Sequence, residues 1–156
     1  MFEAPLDAWY VWVGLAVVAG TAVSVVTAMP AVPPPDATGA AETVDAVAAG
    51  EHAAVEERPL PNAEAMRVGV DSLSLRGPGG TTHARFGYGP VTPVAGDDGP
   101  LEAVLHGTPP ARAFDSPAAL RRAAAAARDR RPRWTATDRL VVRRIRWEGV
   151  DVVLVG

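Results

Sequence analysis

The side chains that most often perform chemistry are few and scattered in this sequence. There is no Cys, so neither a disulfide nor a Cys-based zinc or redox site can form. His83 and His106, together with Asp97 and Asp98, are the one group that suggests a divalent metal site, but their spacing matches no common ligand pattern. The glycines of residues 77–80 lack the Lys-Ser/Thr of a phosphate-binding loop. We therefore expect no metal, no cofactor and no catalytic residue.

Arginine is the one chemically distinctive residue type. All 15 basic residues are Arg, and ten of these fall between residues 121 and 146, against only two Asp. A guanidinium binds carboxylates and phosphates through a planar fork of N–H donors. The candidates for a surface that binds an anionic partner are Arg121, Arg122, Arg128, Arg143, Arg144 and Arg146.

Three interpretations of this arginine cluster stay open. It docks acidic segments, such as residues 42–57 of the same or another subunit, it binds anionic lipid headgroups or polymers, or it is a solvated face of a Lys-free protein. Residues 1–66 carry nine acidic side chains against one Arg, whereas residues 67–156 carry nine against 14 Arg. This asymmetry favours docking. Nucleic acid is not expected, because few aromatic residues are interleaved with the arginines.

Residues 8–29 are the segment that we expect to hold the rest of the chain at a membrane. No charged residue occurs between Asp7 and Asp36, and about 20 apolar residues suffice to cross a bilayer. We expect a single transmembrane helix here, with the lipid bilayer as its partner. A cleaved signal peptide and a buried helix of a water-soluble core are the alternatives; the first lacks a basic start, and the second lacks enough apolar chain to surround it.

Small residues recur every fourth position along this predicted span. Such spacing lets two transmembrane helices approach closely, and it predicts self-association or a protein partner in the membrane. Because the span is rich in small residues, such a row also arises by chance. The predicted packing face consists of Ala16, Gly20, Ser24 and Ala28.

The remaining chain divides by its patterns. After a tail at residues 1–7 and the span, residues 30–62 read as a Pro-rich spacer followed by an acidic helix at about 37–57, capped by Asp36 or Thr38. Residues 63–156 read as a small head domain, where period-two alternation over 66–88 predicts a hairpin that turns at 77–80.

The head domain is expected to end in a helix and two strands. Asp115 or Ser116, followed by Pro117 at the first helical position, is a strong helix start, and Pro132 stops that helix. Residues 101–106 predict a short strand, residues 140–147 a longer one, and residues 150–155 a closing strand after a turn at 148–149. The predicted fold is α+β: a small antiparallel sheet with one packed helix, preceded by the acidic helix and the membrane span.

Four stretches together resemble a known family: residues 1–12, 33–36, 114–122 and 149–156. They are similar to a haloarchaeal family of uncharacterised membrane-anchored proteins. The resemblance implies an association with gene clusters for type IV pilus-like or secretion-like assemblies. It also implies a head domain outside the cell, whereas the short acidic tail of residues 1–7 would cross the membrane easily and place the head in the cytoplasm. The positive-inside rule does not decide between these orientations, because no Arg flanks the span.

These observations favour a non-enzymatic, single-pass component of a cell-envelope assembly, accessory to a pilus-like or secretion-like system. The alternative is a membrane-tethered binding module whose arginine cluster docks an anionic ligand or an acidic partner. An enzyme is the third option, and no catalytic motif supports it.

Overall fold

The computed structural model of the chain describes residues 32–156, and that range contains four helices and eight strands. The helices are α1 (Ala37–Ala49), α2 (Pro100–Leu105), α3 (Pro110–Ala113) and α4 (Pro117–Arg128). The strands are β1 (Ala54–Pro59), β2 (Ala65–Val68), β3 (Ser72–Gly77), β4 (Gly80–Arg85), β5 (Thr92–Pro93), β6 (Thr135–Ala136), β7 (Arg139–Trp147) and β8 (Val150–Val155).

The strands form two four-stranded sheets. Sheet A has the order β1-β7-β8-β5, in which β5 and β8 are parallel and the other neighbours antiparallel. Sheet B has the order β4-β3-β2-β6 and is antiparallel throughout. The α+β class is thus confirmed. The expectation of one antiparallel sheet is wrong, because the short strand β5 adds a parallel edge and residues 65–85 form a sheet of their own.

Helix α1 packs against both sheets. Its apolar stripe, which includes Ala40, Val44 and Val47, shares one core with Leu73 and Leu75 of sheet B and with side chains of sheet A. Because small side chains let backbones approach closely, an Ala-rich helix fits this central position. The acidic helix predicted at residues 37–57 therefore contributes its apolar stripe to the core.

Helices α2 and α4 cover the opposite face of sheet A. Leu101 and Val104 of α2 and Leu120 of α4 share a second core with alternate residues of the hairpin β7–β8. Sheet A is consequently buried on both faces, which explains the nearly continuous aliphatic run of β8. The prediction of one helix packed on the sheet is wrong, because three helices, α2, α3 and α4, lie between β5 and β6.

Local signals set several boundaries as predicted. Asp36 is the N-cap of α1, with Gly39 N donating to its Oδ1 at 2.8 Å, and Ser116 is the N-cap of α4, with Ala119 N donating to its Oγ at 3.2 Å. The predicted hairpin turn joins β3 to β4. Gly77 is required there, because a Cβ at this position would lie 1.8 Å from the carbonyl oxygen of Asn62.

Two predicted elements are corrected. Helix α1 ends at Ala49 rather than near residue 57, because Gly50 is extended (φ −60°, ψ 148°) and residues 54–59 gain backbone hydrogen bonds by pairing with β7. The strand predicted at residues 101–106 is the helix α2. Pro100 occupies its first turn, where the fixed φ of proline favours a helix.

Residues 32–156 form one compact unit. The predicted domain boundary at residue 62 does not separate two units, because apolar side chains of α1 lie in the core shared with both sheets and β1 pairs with β7. Within this part of the chain, no helix combines the length and apolar character needed to cross a membrane. The span predicted at residues 8–29, with its packing face at Ala16, Gly20, Ser24 and Ala28, lies outside the described residues.

Candidate functional site: a basic sheet face

The fold separates the six arginines that were predicted to form one surface. Side chains of β7 alternate between the two faces of sheet A, so Arg144 and Arg146 lie on the side of α1 and Arg143 lies on the opposite side. The other three belong to α4, which covers that opposite face: Arg121, Arg122 and Arg128.

Arg144 and Arg146 bind the carboxyl end of α1. Arg144 donates hydrogen bonds to the carbonyl oxygens of Ala48, at 2.6 Å, and of Gly50, while Arg146 donates to that of Glu51. The last carbonyls of a helix lack intrahelical partners and carry partial negative charge, so cations are favoured there. These arginines do contact the predicted acidic segment, but through its main chain rather than its carboxylates.

Asp151 of β8 completes this cluster. Arg144 donates to both carboxylate oxygens, at 3.0 and 2.6 Å, and Arg146 donates to one of them at 3.1 Å. The hydrogen bond from Arg144 lowers the pKa of the Asp151 carboxyl most, partial burial opposes the shift, and the hydrogen bond from Arg146 lowers the pKa further. The same contact raises the pKa of Arg144. Both arginines are thus engaged in holding the fold together.

The remaining predicted arginines have different surroundings. Arg128 donates to the hydroxyl of the buried Thr92 at 3.0 Å and so ties the end of α4 to sheet A. Arg121 and Arg122 are exposed and Arg143 is half-buried, and none of these three hydrogen-bonds to another side chain within residues 32–156. The six do not form one continuous surface.

The structure instead brings cations together on sheet B. In the register of β2, β3 and β4, Arg67 lies beside Ser74, which lies beside His83, while Arg76 and Arg85 occupy the flanking rows of the same face. We call these five residues with Trp134 the basic face. Its three arginines and His83 are exposed. No Asp or Glu occupies a position on this face of β2, β3, β4 or β6.

Trp134 joins two of these arginines. The guanidinium carbons of Arg67 and Arg76 lie 4.9 and 4.6 Å from the centre of its indole ring. This cation–π geometry is favourable and restricts the motion of both side chains. The two planar donors are thereby held in place before any partner binds, which lowers the conformational entropy that binding must remove.

Ser74 and His83 lie within hydrogen-bonding distance of each other, as a serine nucleophile and its base also do. Ser74 Oγ is 3.1 Å from His83 Nδ1, and Arg67 also donates to this hydroxyl at 3.5 Å. Ser74 is only 4% exposed, whereas a nucleophile must reach its substrate. The base of such a pair is normally oriented by a third group, and among residues 32–156 no carboxylate hydrogen-bonds to His83. The Ser74 hydroxyl links Arg67 to His83 on the basic face.

Part of the basic face is visible in the sequence as an alternation of basic and apolar residues. Arg67, His83 and Arg85 alternate with apolar residues in the predicted strands, and in a strand alternate residues share a face. Alternation within one strand does not predict the register between strands, which places Arg76 and Trp134 on the same face as these three residues. Those pairings depend on contacts between β2, β3 and β6, which are distant in sequence.

The residues weighed for a metal site are not brought together. Between Val32 and Gly156, no three His, Asp or Glu side chains cluster in a way that could hold a metal ion. His83 belongs to the basic face, and His106 follows α2. Asp97 and Asp98 instead bind Arg133 and Arg130. The Arg133 hydrogen bond to Asp97 lowers the pKa of that carboxyl.

Comparison with known proteins gives one positive finding. The model of a family of unknown function, DUF7283, matches residues 3–145. No curated protein matches the chain, and no solved structure matches it either. The match covers the predicted span, both sheets in large part and all four helices.

Proposed function

Because the chain belongs to the DUF7283 family, a family of unknown function, we propose its role from its own residues: a non-enzymatic, membrane-anchored binding module that docks an acidic partner on the basic face. The partner is an acidic segment of another protein in a cell-envelope assembly. The observation that carries this proposal is the exposed set of Arg67, Arg76 and Arg85 on a sheet face without carboxylates.

The chemistry of the face supports a carboxylate-bearing macromolecule. Neighbouring strands lie about 4.8 Å apart and same-face residues along a strand about 7 Å apart, so the cations of the face are spread over more than 10 Å. One small anion cannot bridge that distance, whereas an extended acidic segment presents carboxylates at a similar spacing. Each guanidinium accepts a carboxylate in a two-point geometry.

The proposal also includes a membrane anchor and a place in a cell-envelope assembly. The uncharged apolar run at residues 8–29 supports a single-pass anchor in the cell membrane, and the sequence resemblance alone supports a folded unit outside the cell. A haloarchaeal origin, an accessory role in a pilus-like or secretion-like assembly, and self-association of the span are supported by the sequence resemblance and by small-residue spacing alone. The lack of any recognisable catalytic motif in the sequence supports a role without catalysis.

The test compares charge reversals at two exposed places. The full-length chain is placed in nanodiscs of zwitterionic lipid, and binding of a fluorescent 20-residue poly-glutamate is followed by anisotropy. Arg67→Glu with Arg76→Glu should weaken binding by about tenfold or more, because two attractions become repulsions. Arg85→Glu, at a residue with no hydrogen bond to another described side chain, should weaken binding less.

The matched control is Arg121→Glu with Arg122→Glu, which makes the same charge change on exposed positions of α4. It should alter the affinity by less than about twofold at physiological salt, where screening limits distant charges. Equal losses in the two double variants would show that net charge, and not the basic face, binds the peptide. A stronger preference for anionic vesicles than for the peptide would assign the face to lipid headgroups instead.

A further inference from the structure

A second feature lies apart from the basic face: a cleft of about 580 Å³ beside the connection from α4 to β7. We call it the connection cleft. Its walls come from β2, from residues 93–98, from the end of α2 and from residues 127–139. Cavities of this size are typical of small-molecule sites.

The floor of the connection cleft is aliphatic. Met66 and Val68 line it from sheet B, Val94 and Leu105 from the opposite wall, and Val141 from β7. Among residues 32–156, no Phe, Tyr or Trp lines the cleft. A flat aromatic ligand would therefore find no ring to stack on, whereas a flexible aliphatic chain could follow the irregular floor.

Two ion pairs hold the walls together at the rim. Arg130 binds Asp98, whose side chain is nearly buried and also accepts from Ala95 N at 2.7 Å. Arg133 donates to both oxygens of Asp97, at 2.9 and 3.0 Å. These contacts join residues 95–98 to residues 130–133, so both walls are held in place without a ligand.

Two further arginines at the rim make no side-chain hydrogen bond to a residue of the described chain, and one of them forms only long ion pairs. Arg131 has no ion pair within residues 32–156, and Arg139 lies 3.6 Å from Asp138 and 3.9 Å from Glu57 without a side-chain hydrogen bond to either. Two carboxylates that line the cleft, Glu102 and Asp138, are bound by neither Arg130 nor Arg133. They exclude a ligand with several negative charges.

We propose that the connection cleft binds a single-chain amphiphile with one acidic head group. Its aliphatic chain lies on the floor against Met66, Val68 and Val141. Its carboxylate meets the guanidinium groups of Arg131 and Arg139 at the rim. The proposal goes beyond the docking function, because it uses neither the residues nor the partner of the basic face.

The test is photolabelling of the full-length chain in nanodiscs with a palmitate analogue that carries a diazirine on its chain. Mass spectrometry of the digested protein should find label on peptides that contain Val94, Leu105 or Val141, and excess palmitate should remove it. The methyl ester of the same analogue should label these peptides at least about fivefold less, because it lacks the charge that the rim arginines bind.

Two charge variants complete the test. Arg131→Glu with Arg139→Glu should reduce labelling of the cleft peptides by at least about fivefold, whereas Arg121→Glu with Arg122→Glu should leave it unchanged. Circular dichroism checks that both remain folded. Equal labelling by acid and ester, label absent from the cleft peptides, or full labelling of the Arg131 and Arg139 variant would each overturn the proposal. Arg67→Glu with Arg76→Glu should leave cleft labelling intact, which separates this site from the basic face.

Discussion

At the scale of single residues, the role of an arginine in this chain depends on the sheet face on which it lies. Arg144 is nearly covered and satisfies two main-chain carbonyls and a carboxylate, whereas Arg67 and Arg76 lie exposed against an indole ring. The same side chain is thus a helix cap in one place and a partner surface in another. Composition and spacing along the chain do not separate these uses.

Arg144 should be the most important arginine for stability. We expect Arg144→Met to lower the urea midpoint clearly, because the carbonyls of Ala48 and Gly50 and the carboxylate of Asp151 lose their common donor. Arg144→Lys should recover only part of the loss, since one ammonium cannot match the guanidinium fork. Arg143→Met is the control: a change as large at that position would contradict the assigned role.

At the scale of elements, α1 depends on its first turn as well as on its burial. Asp36 Oδ1 accepts from Gly39 N, and Asp36 Oδ2 accepts from Arg58 Nη2 at 3.1 Å, so one carboxylate caps α1 and ties it to β1. The apolar stripe of the helix is buried against both sheets. Loss of the cap should therefore loosen the start of α1 without unfolding the unit.

We predict that Asp36→Ala lowers the free energy of unfolding by about 1 kcal/mol, the usual cost of removing an N-cap. Asp36→Asn should retain most of that stability, because Asn also caps helices and lacks only the ion pair with the half-exposed Arg58. Urea denaturation followed by circular dichroism gives both values. Equal losses would show that the ion pair, and not the cap, stabilises this end.

The sequence predicted those elements whose signals are local. Ser116 with Pro117 predicted α4, and the alternation of residues 66–88 predicted the hairpin β3–β4. Residues 54–57 were predicted to be helical, because their strand partners in β7 lie 84 to 90 positions away along the chain. The basic face was missed for the same reason: register between strands decides which cations meet, and no short window of sequence contains it.

At the scale of the whole molecule, charge links stability to pH. The carboxyl of Asp151 has a pKa below its ordinary value of 3.8 in the folded protein. Above the unfolded-state pKa both states are ionised, and the contribution to stability is complete. As the pH falls through 3.8 toward the folded pKa, the unfolded state binds the proton first, so that contribution is lost.

We predict that the free energy of unfolding decreases between about pH 5 and pH 3, measured by urea denaturation at each pH. Asp151→Asn should be less stable than the native chain at neutral pH and should show a shallower decrease in acid. Asp97 also has a lowered pKa, but it is fully exposed, so Asp97→Asn should change the profile less. A parallel profile for Asp151→Asn would contradict this account.

The bond from Arg144 to Ala48 spans 96 positions of the chain. During synthesis, α1 therefore leaves the ribosome roughly 5 to 20 s before β7, at about 5 to 20 residues per second. Throughout that time the nascent helix has an apolar stripe and no hairpin β7–β8 to cover it. A product that terminates between α1 and β7 would consequently lack the strands that complete both cores, and α1 would keep part of its apolar stripe exposed.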